Sequence, residues 1–137
     1  MRMPPAYFNV IEHELYNYDY TKEQVGRMRD EIIVGVPAMP SEGDRVQSNR
    51  ISKPTEKKGT ELASSVALLH MEHTVKAIDR ALLLLGEDHV ELFELRYKEK
   101  QNWRQTICET GWAQQTYFRK RRELVYAVAV QLGYVSP

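Results

Sequence analysis

The stretch that decides the fold is Gln101–Gly133, QNWRQTICETGWAQQTYFRKRRELVYAVAVQLG. A short segment, Trp103 to Glu109, meets Gly111, and a longer one runs from Ala113 to Leu132. In the longer segment Tyr117, Leu124, Val128 and Leu132 are spaced 7, 4 and 4, which puts them on one side of a helix. Short helix, glycine turn and longer helix is the layout of a helix-turn-helix. The second helix opens with Gln114, Gln115 and Thr116 and then carries Arg119, Lys120, Arg121 and Arg122. Amides that reach base edges, followed by cations that meet phosphate, are what a DNA-reading helix needs.

With that apolar set inward, the outward face near the helix start holds Gln114, Gln115, Phe118, Arg119 and Arg122. Glutamine pairs bidentately with adenine and arginine with guanine, each discriminating by roughly 1–3 kcal/mol. Phe118 either touches a thymine methyl or packs under Trp112. Lys100, Asn102, Arg104 and Thr116 stand at the helix starts, where backbone phosphates lie. Arg121 joins them as an expected DNA contact. Its direction and that of Lys120 stay open, since one of the two can run along the core edge with its charge at the surface.

The chain has 137 residues, with 19 acidic and 19 basic side chains, so the whole molecule has no general attraction for a polyanion. The distribution is uneven. Lys98 to Glu123 holds seven Lys/Arg against three Glu, and Leu124 to Pro137 holds no charge, so residues 1–97 carry an acidic excess of four. Such segregation suits a local nucleic-acid footprint, and equally a solvated helix face. The single cysteine, Cys108, excludes an intramolecular disulfide, and Ile107 and Thr110 beside it predict a packed position in a reducing compartment. Glu12 and His13 interrupt the apolar run a signal sequence would need, and the longest aliphatic run, Ala81 to Leu85, is too short for a bilayer. A cytoplasmic protein with no membrane partner is expected.

The whole chain reads as all-α, a helical N-terminal region plus a C-terminal helix-turn-helix. Residues 1–34 are expected to form a helical hairpin, 35–59 a linker, 60–86 a central helix and 87–137 the DNA-binding domain. Tyr7, Phe8, Ile11, Leu15 and Tyr18 share one face of a first helix, and Thr21 with Gln24 is a capping-box pattern opening a second through Val25, Met28, Ile32 and Ile33. Pro37, Pro40 and Pro54 mark the connector. A third helix, from Thr55 or Thr60 to Leu85, carries Leu68, Met71, Val75, Ile78, Leu82 and Leu85 at heptad spacing, with Leu62, Val66, Leu69 and His73 beside them. A fourth, Glu87 to Tyr97, turns Val90, Phe93 and Tyr97 inward with Leu92 alongside. More apolar face is present than one small reader can cover. This predicts a homo-oligomer, a dimer above all, with Tyr7, Tyr16, Tyr18 and Tyr20 at an interface.

The block Thr116-Tyr117-Phe118-Arg119-Lys120-Arg121-Arg122 through Val128-Ala129-Val130-Gln131-Leu132-Gly133 resembles the recognition end of RinA/ArpU-type late transcription regulators of phages infecting Gram-positive bacteria. Glu91 to Tyr97 is similar to the E-x-x-x-x-R-Y helix of that family, itself like region four of bacterial sigma factors. Val46 to Asn49 through Pro54 to Glu56 resembles its mid-chain linker, and the segment from Ile11 to Tyr18 its first helix. The resemblance implies a sequence-specific activator of phage late genes, working on duplex DNA in the bacterial host's cytoplasm. A sigma-like fold would add contact with host RNA polymerase. Two departures stand out: the turn Glu109–Trp112 reads one residue short, and Gln114-Gln115 replaces the Ser, Asp or Arg common there.

Two rivals fit the same residues. A phage small-terminase protein also joins a helix-turn-helix to helical assembly elements, and a helical adaptor would use Arg119–Arg122 only to solvate a helix. His70 and His73, three apart, have metal-ligand spacing, but a buried or half-buried pair on an otherwise apolar helix face, without a metal, is the plainer reading. With no nucleophile triad, phosphate-cradling glycine loop or carboxylate cluster, neither an enzyme nor a cofactor is expected.

Overall fold

The computed structural model describes residues 3–35 and 54–137. Every regular element among them is helical, in keeping with the all-α expectation. They are α1 (Pro5–Tyr16), α2 (Tyr18–Gly35), α3 (Pro54–Leu85), α4 (Glu87–Leu92), α5 (Trp103–Thr110) and α6 (Gln114–Leu132). Most of the expected 35–59 linker, including the Val46–Asn49 part of its family-like stretch, lies outside the described residues, although helix already covers residues 54–59. Among the described residues no helix is long and apolar enough to cross a membrane.

The described chain forms two compact units. One joins Met1–Tyr20 to His73–Pro137, and the other is Thr21–Glu72. The first is centred on α6, which packs on α1, α4 and α5. Its core holds Ile11 and Leu15 of α1, Tyr18 at the start of α2, Ile78 and Ala81 near the end of α3, and Tyr117, Leu124, Val125, Val128 and Ala129 of α6. Phe8 completes the face expected of α1 from its partly buried edge, while Tyr7 is displaced to the rim against Tyr134, at 5.2 Å.

Local chemistry sets the helix ends. Pro5 stands in the first turn of α1, where its fixed φ and missing N–H cost nothing. Asn17 alone separates α1 from α2, and its side-chain amide donates to the His13 carbonyl at 2.8 Å. The expected capping box at Thr21 does not form, because α2 has already begun at Tyr18 and passes through Thr21 unbroken. Gly86, at φ 109° and ψ −170°, stops α3 in a conformation open only to glycine. Glu87 and Asp88 then start α4 with charges that suit its positive end.

Beyond Leu92 the helix widens to a π-helical stretch, Phe93–Lys98. The Glu99 N–H there donates to the Glu94 carbonyl at 2.9 Å, five residues back. The wider turn buries Leu92, Phe93, Leu95 and Tyr97 together. Val90, expected inward, is on the exposed side, because the buried series here is His89, Leu92 and Phe93. In the second unit Arg29 pairs with Glu72 and Leu68 is buried, while Val66 and Leu69, the flanking stripe on α3, are exposed.

Candidate nucleic-acid interface

Asn102 opens α5 with a reciprocal capping box. Its side-chain oxygen accepts from the Gln105 N–H at 2.9 Å, and its own N–H donates to Gln105 Oε1 at 3.0 Å. Thr106 is buried, and Trp103 and Ile107 pack against the core from the same side. Cys108 is therefore exposed rather than packed. Helix α5 runs to Thr110 and ends at Gly111, which takes the left-handed conformation, φ 79° and ψ 9°. Its N–H donates to the Ile107 carbonyl at 2.9 Å. The turn thus comprises Gly111, Trp112 and Ala113, three residues in place of the expected Glu109–Trp112.

Past that turn, the first two turns of α6 present a shallow concavity of about 680 Å³, lined by Gln114, Gln115, Thr116, Phe118, Arg119 and Arg122. All six are among the residues expected to face DNA. Gln114, Gln115, Arg119 and Arg122 are exposed. Thr116 and Phe118 are half-buried. The Phe118 ring rests on Trp103, 5.9 Å between centroids, and not on Trp112, and it meets Tyr117 edge-on at 5.0 Å. Arg104 in turn lies over Trp103 at 5.1 Å. That cation-on-ring contact joins the charge of α5 to the apolar floor of the α6 concavity.

The basic run divides by direction. Arg119 and Arg122 point outward, while Lys120 and Arg121 turn in. Lys120 Nζ reaches Asp88 Oδ2 at 3.1 Å and lies 5.5 Å from the Trp112 ring. Arg121, expected at the DNA, donates through Nε and Nη2 to the two oxygens of Glu12, at 2.9 and 2.7 Å. It sits four residues after Tyr117 and three before Leu124, inside the inward stripe, and its guanidinium lies 5.0 Å over Phe8. Lys98 is likewise held, by Asp19 at 3.8 Å and Glu94 at 3.5 Å. Four cations of the basic segment remain exposed and in no ion pair among the described residues: Lys100, Arg104, Arg119 and Arg122. Lys100 follows the π-helical stretch at φ 58°, outside the lining of the concavity. Asn102, expected at a phosphate, instead spends its side-chain oxygen on the cap.

Behind this face lies a polar network that the sequence reading did not single out. Glu12 accepts from the Tyr97 hydroxyl at 2.7 Å and from Arg96 at 3.3 Å as well as from Arg121. Arg96 also donates to the Tyr117 hydroxyl at 2.6 Å and lies against the rings of Tyr16, Tyr97 and Tyr117. Burial by itself would raise the Glu12 pKa. Hydrogen bonds from Arg121 and Tyr97, with the charges of Arg121 and Arg96, outweigh it and hold the carboxyl below its ordinary value. Burial and the neighbouring Glu12 charge push the Tyr97 hydroxyl up, so it stays a donor. The network fixes α1 and the π-helical stretch to the rear of α6. It thereby sets how α6 is rotated about its axis.

Of the first-helix tyrosines expected at an interface, Tyr18 is buried and donates to Asp79 at 2.6 Å, and Tyr16 packs on Tyr97 at 4.8 Å. Tyr20 alone is largely exposed. His70 and His73, expected buried or half-buried, are instead exposed on α3, and no group of three His, Cys, Asp or Glu able to hold a metal occurs among the described residues.

A family profile described as protein of unknown function (DUF722) matches residues 19–130. The chain belongs to that family, and the match takes in everything from α2 to nearly the end of α6. No curated protein and no solved structure matches the chain.

Proposed function

We propose that the protein is a sequence-specific DNA-binding regulator, an activator of phage late gene transcription of the RinA/ArpU type. On this reading α5, the three-residue turn and α6 form a helix-turn-helix, with α6 in the major groove of duplex DNA. Gln114, Gln115, Arg119 and Arg122 face base edges and the phosphates flanking them. Thr116, Lys100 and Arg104 add backbone contacts, and Phe118 supplies an apolar surface for a thymine methyl. Arg121 acts from behind by holding the helix. The bacterial host's cytoplasm, a homo-oligomer and contact with host RNA polymerase belong to the same reading.

One observation carries it: the exposed start of α6 gathers two amides and two unpaired guanidiniums around one concavity. Solvation alone would not require amides and an aromatic floor in that place. Four unpaired cations, each neutralising one phosphate, give a slope of log K against log salt of about −3.6 per chain. The test starts from a duplex chosen by selection from random sequence and titrates it against a scrambled one. Gln115→Ala is expected to narrow the gap between the two duplexes. Arg122→Ala is expected to weaken both or, where it reads guanine, mainly the selected one, and to make the slope shallower by about 0.9. If both variants bind both duplexes as the parent does, the proposal fails.

A further inference from the structure

A second concavity, sharing no residue with the first, lies where α3 gives way to α4. It encloses about 410 Å³ between Leu82, Leu83, Gly86, Glu87, Val90 and Glu91. The break at Gly86 creates it. At φ 109° the chain turns sharply enough for the last turn of α3 and the first turns of α4 to flank one hollow, and a Cβ on Gly86 would meet nothing within 4 Å. The space over Gly86 is therefore open. Leu83 is 84 % exposed and its neighbour Leu84 73 %, the two highest values among the large apolar side chains of the described residues, and Val90 is exposed beside them. Scattered surface leucines need no account, but Leu83 lining an apolar hollow, with Leu84 exposed next to it in the chain, marks a contact surface.

Charge says what fits there. Glu87 and Glu91 stand one turn apart on α4, both exposed and in no ion pair among the described residues. Like charges at that spacing repel. Asp88 between them faces the other way, to Lys120. The positive end of α4 helps Glu87 in the first turn and does less for Glu91 in the second. A cation seated between the two carboxylates relieves the repulsion, and an apolar side chain beside it covers Leu83 and Val90. The same face of a second copy would instead set Glu87 and Glu91 against their own kind.

We infer that this hollow docks a cationic amphipathic helix of another protein, with apolar side chains against Leu83, Val90 and Gly86 and a Lys or Arg between Glu87 and Glu91. The inference does not depend on DNA reading by α6.

The test uses the full chain and three synthetic helical peptides. One carries leucines on one face flanked by lysines, the second has glutamate for each lysine, and the third serine for each leucine. Amide chemical shifts are followed on titration. The lysine–leucine peptide is expected to shift residues 82–91 and to bind at least tenfold more tightly than either of the others. Glu87→Gln with Glu91→Gln, and separately Leu83→Asp, should each remove that preference, while Arg119→Ala should not. Both sets of substitutions lie on exposed side chains, and thermal melts check that the fold is kept. Equal binding of the lysine and glutamate peptides overturns the inference, as do shifts confined to α6. Sedimentation showing a concentration-dependent dimer that Leu83→Asp dissolves also overturns it, since the occupant would then be a second copy.

Discussion

Replacing Arg121 with alanine is expected to loosen the fold while leaving the outward face of α6 with its full set of side chains. The substitution deletes two hydrogen bonds to Glu12, at 2.9 and 2.7 Å, and the cation over the Phe8 ring. It leaves a carboxylate whose side chain is only 11 % exposed with Tyr97 and Arg96 as its remaining partners. Removing one member of a buried ion pair costs roughly 3–5 kcal/mol. The surviving partners and the partial exposure of Arg121 place this case at the low end, about 3 kcal/mol. Against a total stability of about 5–15 kcal/mol the variant stays folded when cool. It should melt on the order of 10 °C earlier, followed by circular dichroism. Adding Glu12→Gln removes the orphaned charge, so the double variant should be less destabilised than the two single losses summed. Duplex titrations well below the melting point should keep the parent's salt slope. An unchanged melting temperature together with a slope reduced by about 0.9 would mean that Arg121 meets phosphate, and the argument from its ion pair would be refuted.

Acid should act through the same carboxylate. The folded-state pKa of Glu12 lies below its ordinary value of 4.5, so its stabilisation is complete above that value and is lost as pH falls through the lower, folded one. Urea midpoints measured against pH should fall on the acid side for the parent and less steeply for Glu12→Gln. Gly111→Ala should destabilise by about 1 kcal/mol, because the left-handed strain at φ 79° outweighs the gain from a stiffer unfolded chain, and Gly111→Asn should cost less; denaturant melts decide. Tyr18→Phe, which deletes the 2.6 Å hydrogen bond to Asp79, should cost about 1.5 kcal/mol by the same assay.

The helices were legible wherever a stop signal coincided with a change of pattern. Gly86, Gly111 and Gly133 mark three ends, and the 7, 4, 4 spacing in the last helix oriented it correctly, leaving Gln114, Gln115, Arg119 and Arg122 outside. Residue type misled where position would have served. Arg121 is expected at the DNA with its direction left open, although it occupies the inward stripe between Tyr117 and Leu124. Glu12, four residues after Phe8 and three before Leu15, holds the equivalent place on α1. Opposite charges on two inward faces were the available sign of their pairing. The π-helical widening left no such sign, since it arises from packing Leu92, Phe93, Leu95 and Tyr97 together, and the outward turn of Val90 was missed with it. Cys108, which Ile107 beside it marks as packed, is exposed because the inward side of α5 belongs to Trp103, Thr106 and Ile107.

The division of Arg119, Lys120, Arg121 and Arg122 into an outer and an inner pair has an engineering consequence. Anchorage and display are assigned to different positions of one rod, so Gln114, Gln115, Arg119 and Arg122 can be exchanged without disturbing the bonds that Lys120 and Arg121 make behind them. A library confined to those four sites would sample new surfaces on an unaltered mount, whereas randomising the contiguous tetrad would scatter the mount with the surface.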